Sequence, residues 1–573
     1  MNYERGEKQR AAPRAGALLR ALLSSLFVVS GAVGLPGGAW AAAIEPQRLS
    51  AQGESELLGL VAAGRLETLQ EPGFGGYRSE IGEFYRAGGY ALNWVQNSKP
   101  TPKALAVIER LQAAGNEGLL AQDYDSPLWT GRLADLRLPG RGPSESQLLR
   151  FDLALTVCAM RYILDLHLGR INPGASRPAL DLDPEVRGPS DFLRKRIVSA
   201  EDVSAAFSAL EPQFPSYRRL VRAVQRYKEL ALTDDGEKLP STRFPVRPGD
   251  RYSGVKRLAR LLALVGDLSP QASLEEELYK GPLVGAVKRF QRRHGLTPDG
   301  LLGERTLSQL NTPLALRLRQ LQLTLERWRW LPHRFSRPPI LVNVPEFRLY
   351  AGDSPSQKVV VGIAFEHETP VFVSRLTEVV FRPPWTVPLS IQLSELVPKI
   401  EADPAYLEGN GLEVMDGKEA LISSGTVSAE VLARLREGKL YLRQRPGPNN
   451  SLGLVKFQMP NAHSVYLHGT PARWGFSRAE RDLSHGCIRV ENPEALAAWV
   501  LRDRPEWTPA LIRAAMDGTE TVTVKLSEPI SVLIQYGTAA VKEGGEVGFF
   551  EDIYNRDAAE GAAFEESARS GAR

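Results

Sequence analysis

Cysteine is nearly absent from this chain: two in 573 residues, alongside seven histidines and five methionines. Two cysteines cannot form a disulfide framework for a chain of this length. Beyond about residue 43 no stretch of about 20 apolar residues remains that would span a bilayer. No long basic run and no basic patch interleaved with aromatics is present either, so nucleic acid is not an expected partner. The formal net charge is +4. The first 20 residues supply +3 of it, through Arg5, Lys8, Arg10, Arg14 and Arg20 against Glu4 and Glu7. The sequence pI of about 8.9 therefore says little about partners. With 43% hydrophobic and 24% charged residues, the composition is that of an ordinary globular protein. The length implies about three or four domains.

The basic start is followed by a short apolar run, Ala21 to Leu35, and by small-residue sites at Ala39-Trp-Ala41 and Ala41-Ala-Ala43. Charge, apolar run and cleavage site in this order predict a secretory signal over residues 1–43. Retention of that segment as a membrane anchor is the alternative. Cys158 lies in an apolar run, Phe151-Asp-Leu-Ala-Leu-Thr-Val-Cys-Ala-Met-Arg-Tyr, that reads as a buried helix, so a packing role is expected for it. An exported free thiol at Cys487 then needs a reason.

Residues 44–240 show apolar spacing of helical period in Glu54–Thr68, Ser79–Tyr90, Pro102–Ala113, around Ser146–Gly169 and in Ser216–Leu232, which predicts a helical domain. His167 is expected as a helix-end residue. A small unit follows at 241–313, with a helix over Gly254–Val265 and a second that presents Val287 and Phe290 to a small core. Gly295, Gly300 and Gly303 supply its turns. Residues 314–339 read as a linking helix whose Trp328 and Trp330 pack. From Ile340 the period changes to two, predicting strands at Ile340–Val344, Phe347–Tyr350, Lys358–Ile363 and Thr377–Phe381. Residues 389–444 are of mixed helical character. Further on, Pro493–Leu501 reads as a helix and Thr521–Leu526 and Ile530–Thr538 as closing strands. Residues 557–573 are small, polar and charged, and are expected to be a disordered tail.

The chemistry concentrates in Tyr466-Leu-His-Gly-Thr-Pro and Ser484-His-Gly-Cys-Ile-Arg-Val490. Cys487 and His468 are 19 positions apart, across a loop rich in Gly, Pro and Arg. A thiol next to an imidazole is the arrangement that covalent catalysis needs. Gly486 permits a close backbone approach. Cys487 is the expected nucleophile and His468 the expected proton acceptor, with a thiolate–imidazolium resting pair by analogy with other Cys–His pairs. Main-chain N–H groups near Gly486 and Cys487 are candidates for an oxyanion hole. His485 and Ser484 are expected to support the oxyanion or the loop. Arg489 suits a substrate carboxylate. Tyr466, two residues from His468, shares its face if the segment is a strand. Cys487, His485 and His468 lack the paired close spacing of a zinc site, so no metal and no cofactor is expected.

On these residues the chain resembles the L,D-transpeptidases, or YkuD-like domains. Arg443-Gln-Arg-Pro-Gly-Pro-Asn-Asn-Ser-Leu-Gly453 and Val455-Lys-Phe457 resemble their large YcbB-like branch. Ala286-Val-Lys-Arg-Phe-Gln through Asp299-Gly-Leu-Leu-Gly303 resembles the three-helix peptidoglycan-binding module. The resemblance implies a multidomain α+β protein: a helical N-terminal scaffold, a small peptidoglycan-binding-like domain and a β-rich catalytic domain at 340–556, with 389–444 inserted as a cap over the cleft. It implies that His468 is oriented by a main-chain carbonyl and that Tyr466, Gly469 and Arg489 contact substrate. It also implies attack by Cys487 on a peptidoglycan tetrapeptide, release of D-Ala, a thioester, a 3–3 cross-link and acylation by carbapenems. Stem peptides and glycan are then the expected partners, of a protein that is a monomer in the periplasm. An L,D-carboxypeptidase, an enzyme that cuts a protein off peptidoglycan, and a non-catalytic wall-binding protein are the alternatives.

Overall fold

The computed structural model describes residues 47–137, 142–171, 188–273, 275 and 277–566. The signal expected at 1–43 lies outside the described residues. No helix among the described residues is long and apolar enough to cross a membrane.

The N-terminal region is built around one 24-residue helix, Glu145–Leu168. Ser144 opens it with a capping box: Gln147 N–H donates to Ser144 Oγ (3.3 Å) and Ser144 N–H donates to Gln147 Oε1 (2.8 Å). The helix is buried on nearly every side, as an all-round apolar sequence requires. Leu57, Ile81, Val107 and Ile108 pack on it from the shorter helices Ala51–Ala63, Arg78–Ala87 and Pro102–Gln112. Cys158 is fully buried here.

The small unit has three helices, Val255–Leu264, Pro282–Arg293 and Glu304–Leu310, around Leu258, Leu262, Val287, Phe290 and Leu302. Arg293 ties it to the C-terminal hairpin Ala539–Val541/Val547–Phe549, pairing with Asp267 and donating to the Val547 carbonyl. The helix Leu314–Arg329 packs against Pro215–Leu232, with Trp328 and Trp330 buried.

The third region is a nine-stranded sheet in the order 482–484, 357–362, 488–490, 467–468, 455–458, 372–381, 522–535, 340–343, 348–351. The Leu349↔Gln357 pairing curls the last strand back onto the second. The two closing strands expected near the C-terminus are one strand, Val522–Gln535, with a register shift between Lys525 and Ile530. One face carries the core: Val455, Phe457, Leu467, Ile488 and Val490 meet Leu496, Val500 and Ile512 from the helices Pro493–Val500 and Pro509–Asp517. The other face carries the polar residues of these strands.

The cap has its own four-stranded sheet and its own apolar core around Val397, Leu407, Val414 and Leu442. It begins earlier than expected. Trp385–Thr386 already pairs with Arg443–Gln444, so the Pro-rich approach is the first strand of the cap rather than a break before it.

The expected disordered tail is a correction over its first part. Arg556–Glu566 is a helix. Phe564 is fully buried between the guanidinium groups of Arg170 and Arg319, and Arg327 pairs with Asp557 and Glu560. One buried Phe contributes about 1.5–3 kcal/mol, enough to hold a short helix that its polar composition alone would not hold. Residues 567–573 lie outside the described residues.

Candidate active site

Three neighbouring strands build the site. Val455–Gln458 runs antiparallel to Leu467–His468, with Lys456 opposite His468. Leu467–His468 runs parallel to Ile488–Val490, with His468 opposite Arg489. Paired residues share a face, so Lys456, His468 and Arg489 form a row across the sheet, on the side away from the core. Cys487 stands just before Ile488, and Ile488 N–H donates to the Tyr466 carbonyl (3.1 Å). Cys487 therefore faces Tyr466, one step along from the row. Strand spacing and rise put the Cα positions of Cys487 and His468 about 8 Å apart, within reach of converging side chains.

Tyr466 links the two. Its ring lies 5.6 Å from the His468 ring, and its side chain and main chain both hydrogen-bond with Cys487. Lys456 Nζ sits 4.2 Å from the centre of the Tyr466 ring. The Cys487 thiol also points at the Ser464 carbonyl, at 3.8 Å. His468 Nδ1 lies 2.5 Å from the Gly469 carbonyl. A carbonyl only accepts, so Nδ1 carries the hydrogen and Nε2 is the free base.

The turn before Cys487 is held from below. Gly486 has φ +98, a conformation that L side chains rarely adopt. Its carbonyl accepts from Thr369 Oγ1 (2.9 Å), which in turn accepts from Gly362 N–H (2.9 Å). Tyr554 OH donates to the Gly362 carbonyl (2.7 Å) and accepts from Thr369 N–H (3.2 Å). Ser484 Oγ donates to the Cys487 carbonyl (2.5 Å). Ser484 thus supports the loop.

The electrostatics weigh against the expected resting ion pair. Burial, then the Arg489 charge, bring the His468 imidazole down to about 3, with Lys456 adding to the effect. Burial pushes the Cys487 thiol up, against the Tyr466 hydrogen bonds and the charges of Lys456 and Arg489. Both directions favour a neutral thiol and a neutral imidazole. Two cations beside a buried ring make an imidazolium unfavourable.

One further expectation changes. Gly469 is buried behind His468. A Cβ there would meet Pro493 Cγ at 3.3 Å and the Leu452 carbonyl at 3.4 Å. Gly469 positions the imidazole and is not exposed to a substrate. His485, expected to support the loop or the oxyanion, meets the cap, with Nε2 2.5 Å from Glu395 Oε1. Arg489 and Tyr466 are half-buried on the open face, as a substrate contact requires. Among the described residues, neither Arg489 nor Lys456 is in an ion pair with a carboxylate within 4.0 Å. No group of three or more His, Cys, Asp or Glu among the described residues could hold a metal.

Lys456, Thr369, Tyr554, Trp385 and Glu395 escaped the sequence reading. Only Lys456 left a trace there, as the polar position between Val455 and Phe457 in a strand of period two.

Residues 338–524 match the L,D-transpeptidase catalytic domain family (YkuD), residues 251–310 a family described as "Putative peptidoglycan binding domain", and residues 79–224 a scaffold domain family. A curated protein of Haemophilus influenzae named "Putative L,D-transpeptidase" is 32% identical over 223 residues, which is 38% of this chain and 44% of that protein. The match thus spans less than half of the relative's length. A crystal structure of an L,D-transpeptidase from Xylanimonas cellulosilytica aligns over 52% of this chain and 99% of its own at 14% identity, with a TM-score of 0.15, too low to inform the fold.

Proposed function

From a chain that carries an L,D-transpeptidase catalytic domain and a peptidoglycan-binding domain, we propose an enzyme that forms 3–3 cross-links in peptidoglycan through a Cys487 thioester. Cys487 Sγ attacks the carbonyl of the diamino acid at position three of a stem tetrapeptide. His468 Nε2 takes the thiol proton and passes it to the leaving D-Ala amine as the C–N bond breaks. The side-chain amine of a neighbouring stem then attacks the thioester. An amide forms, the C–S bond breaks, and the amine proton returns to sulfur by way of His468.

The main-chain N–H groups of Gly486 and Cys487 are the proposed oxyanion donors. The Gly486 carbonyl accepts from Thr369 below the turn, which supports this for Cys487, whose N–H belongs to the same trans peptide and points the opposite way. Arg489 and Lys456 receive a carboxylate of the stem. The peptidoglycan-binding domain brings the site to its polymer, which lies outside the cytoplasm, so the periplasm is the proposed location.

One observation carries the proposal: the strand register that gathers Cys487, Tyr466, His468, Lys456 and Arg489 on one face beneath the cap. Purified protein incubated with disaccharide-tetrapeptides should release D-Ala and yield a 3–3 dimer, and Cys487→Ala should yield neither. D-Ala release without dimer would replace the transpeptidase with an L,D-carboxypeptidase. No reaction with either product, from a folded protein, would leave only a wall-binding role.

A further inference from the structure

The cap reaches the catalytic face at two points. The Trp385 side chain hydrogen-bonds the Tyr466 hydroxyl. Glu395 Oε1 lies 2.5 Å from His485 Nε2, two residues before the nucleophile. The second contact is built from both sides.

On the cap side, Glu395 stands in Gln392–Leu396, where the helix widens to a π-turn. Such turns cost helix stability and are frequent at functional positions. The same segment is pinned from behind. Buried Gln392 donates to the Leu435 and Leu440 carbonyls (2.8 and 3.0 Å) and accepts from Leu442 N–H (2.9 Å). Glu395 is therefore fixed to the cap core rather than carried on a loose loop. On the other side, the His485 ring lies 4.8 Å from the His367 ring, and its neighbours Ser484 and Gly486 are tied down by the Cys487 carbonyl and by Thr369. A carboxylate on the cap thus meets an imidazole on the one turn that sets where Cys487 stands. A thioester on Cys487 forms directly beside this junction.

We infer that Glu395 is a specificity-determining residue of the transfer step: by holding His485 it keeps the cap seated over the thioester and biases its resolution toward an amine acceptor over water. The inference rests on the transpeptidase proposal above. Chemically, the same C–S bond breaks in both outcomes. With an amine a C–N bond forms, and with water a C–O bond forms and a free carboxylate is released. Glu395 touches neither reactant. It acts through the cap, by limiting how often water reaches the carbonyl. Both partners are about one-third exposed (32% and 36%), so the latch is of modest strength and can open for the acceptor to enter.

The test uses the full chain and the variants Glu395→Gln and Glu395→Ala. Two quantities are measured: the ratio of 3–3 dimer to hydrolysed tripeptide from disaccharide-tetrapeptides, and the lifetime of the carbapenem adduct by intact mass. The expected result is a fall of about fivefold in the transfer ratio and a matching shortening of the adduct lifetime. The rate of adduct formation should change less than the transfer ratio, since Thr369 and Ser484 hold the turn independently of Glu395. Hydrogen exchange should rise in both Gln392–Leu396 and Ser484–Ile488, and Glu395→Gln supplies this readout if Glu395→Ala folds poorly. Unchanged ratio, lifetime and exchange in a folded variant would overturn the inference while leaving the transpeptidase intact. Absence of any adduct or D-Ala release from the parent protein would instead remove the transpeptidase itself.

Discussion

The two cysteines stand in two regions that treat a thiol differently. Cys158 sits mid-helix in the scaffold, fully buried, and burial raises its pKa over the opposing charges of Arg161 and Arg132. Cys487 is also raised by burial, yet its surroundings work against that: Tyr466 bonds it twice, and Lys456 and Arg489 face it. Half-burying two cations with no carboxylate within ion-pair distance among the described residues costs stability. A packing cysteine gives no reason to bear that cost. The lesson is that neither burial nor a nearby cation distinguishes the two thiols. A tyrosine and a histidine beside a partly exposed sulfur do.

The comparison breaks most visibly at the base. His468→Ala should lower the rate of acylation about 10²- to 10⁴-fold, read as the rate of carbapenem adduct formation. A loss under tenfold would move the base elsewhere.

The raised thiol and the lowered imidazole make the next prediction. A thiol whose pKa is raised carries thiolate only in a small fraction below that pKa, and the fraction grows about tenfold per pH unit. Iodoacetamide alkylation of Cys487 should therefore climb steadily from pH 6 to about 9 with no plateau. An imidazole at about 3 gives no inflection near the ordinary histidine pKa in that range. A rate already level from pH 6 would show a preformed ion pair. Cys158 should remain unlabelled throughout.

Arg489→Met should raise KM for the tetrapeptide by about tenfold, the size of a lost charged hydrogen bond, while alkylation by the uncharged reagent changes less. The smallest effect belongs to the scaffold. Cys158→Ser should leave acylation unchanged and lower stability by about 1–3 kcal/mol through a buried hydroxyl, read by urea denaturation.

The sequence made the nucleophile turn legible because its parts are local. Gly486 precedes Cys487, and His468 and Tyr466 differ by the strand period. The helices of the scaffold and of the small unit were legible for the same reason, since apolar spacing is a local signal. What escaped was held together across long separations. Thr369 meets Gly486 and Tyr554 meets Gly362 only once the sheet curls. Glu395 meets His485 only once the cap has folded on its own core. The C-terminal helix looked disordered because one phenylalanine and its two arginines, far apart in sequence, decide it. The charges that weigh against the ion pair were not legible because Lys456 and Arg489 sit on strands flanking His468 and meet it only across the sheet.

The most direct measurement is the intact mass of the protein after exposure to a carbapenem, made on the parent chain, Cys487→Ala and Cys158→Ala side by side. The account predicts one adduct on the parent and on Cys158→Ala, and none on Cys487→Ala. An adduct that persists on Cys487→Ala, or a folded parent protein that takes none, would contradict it.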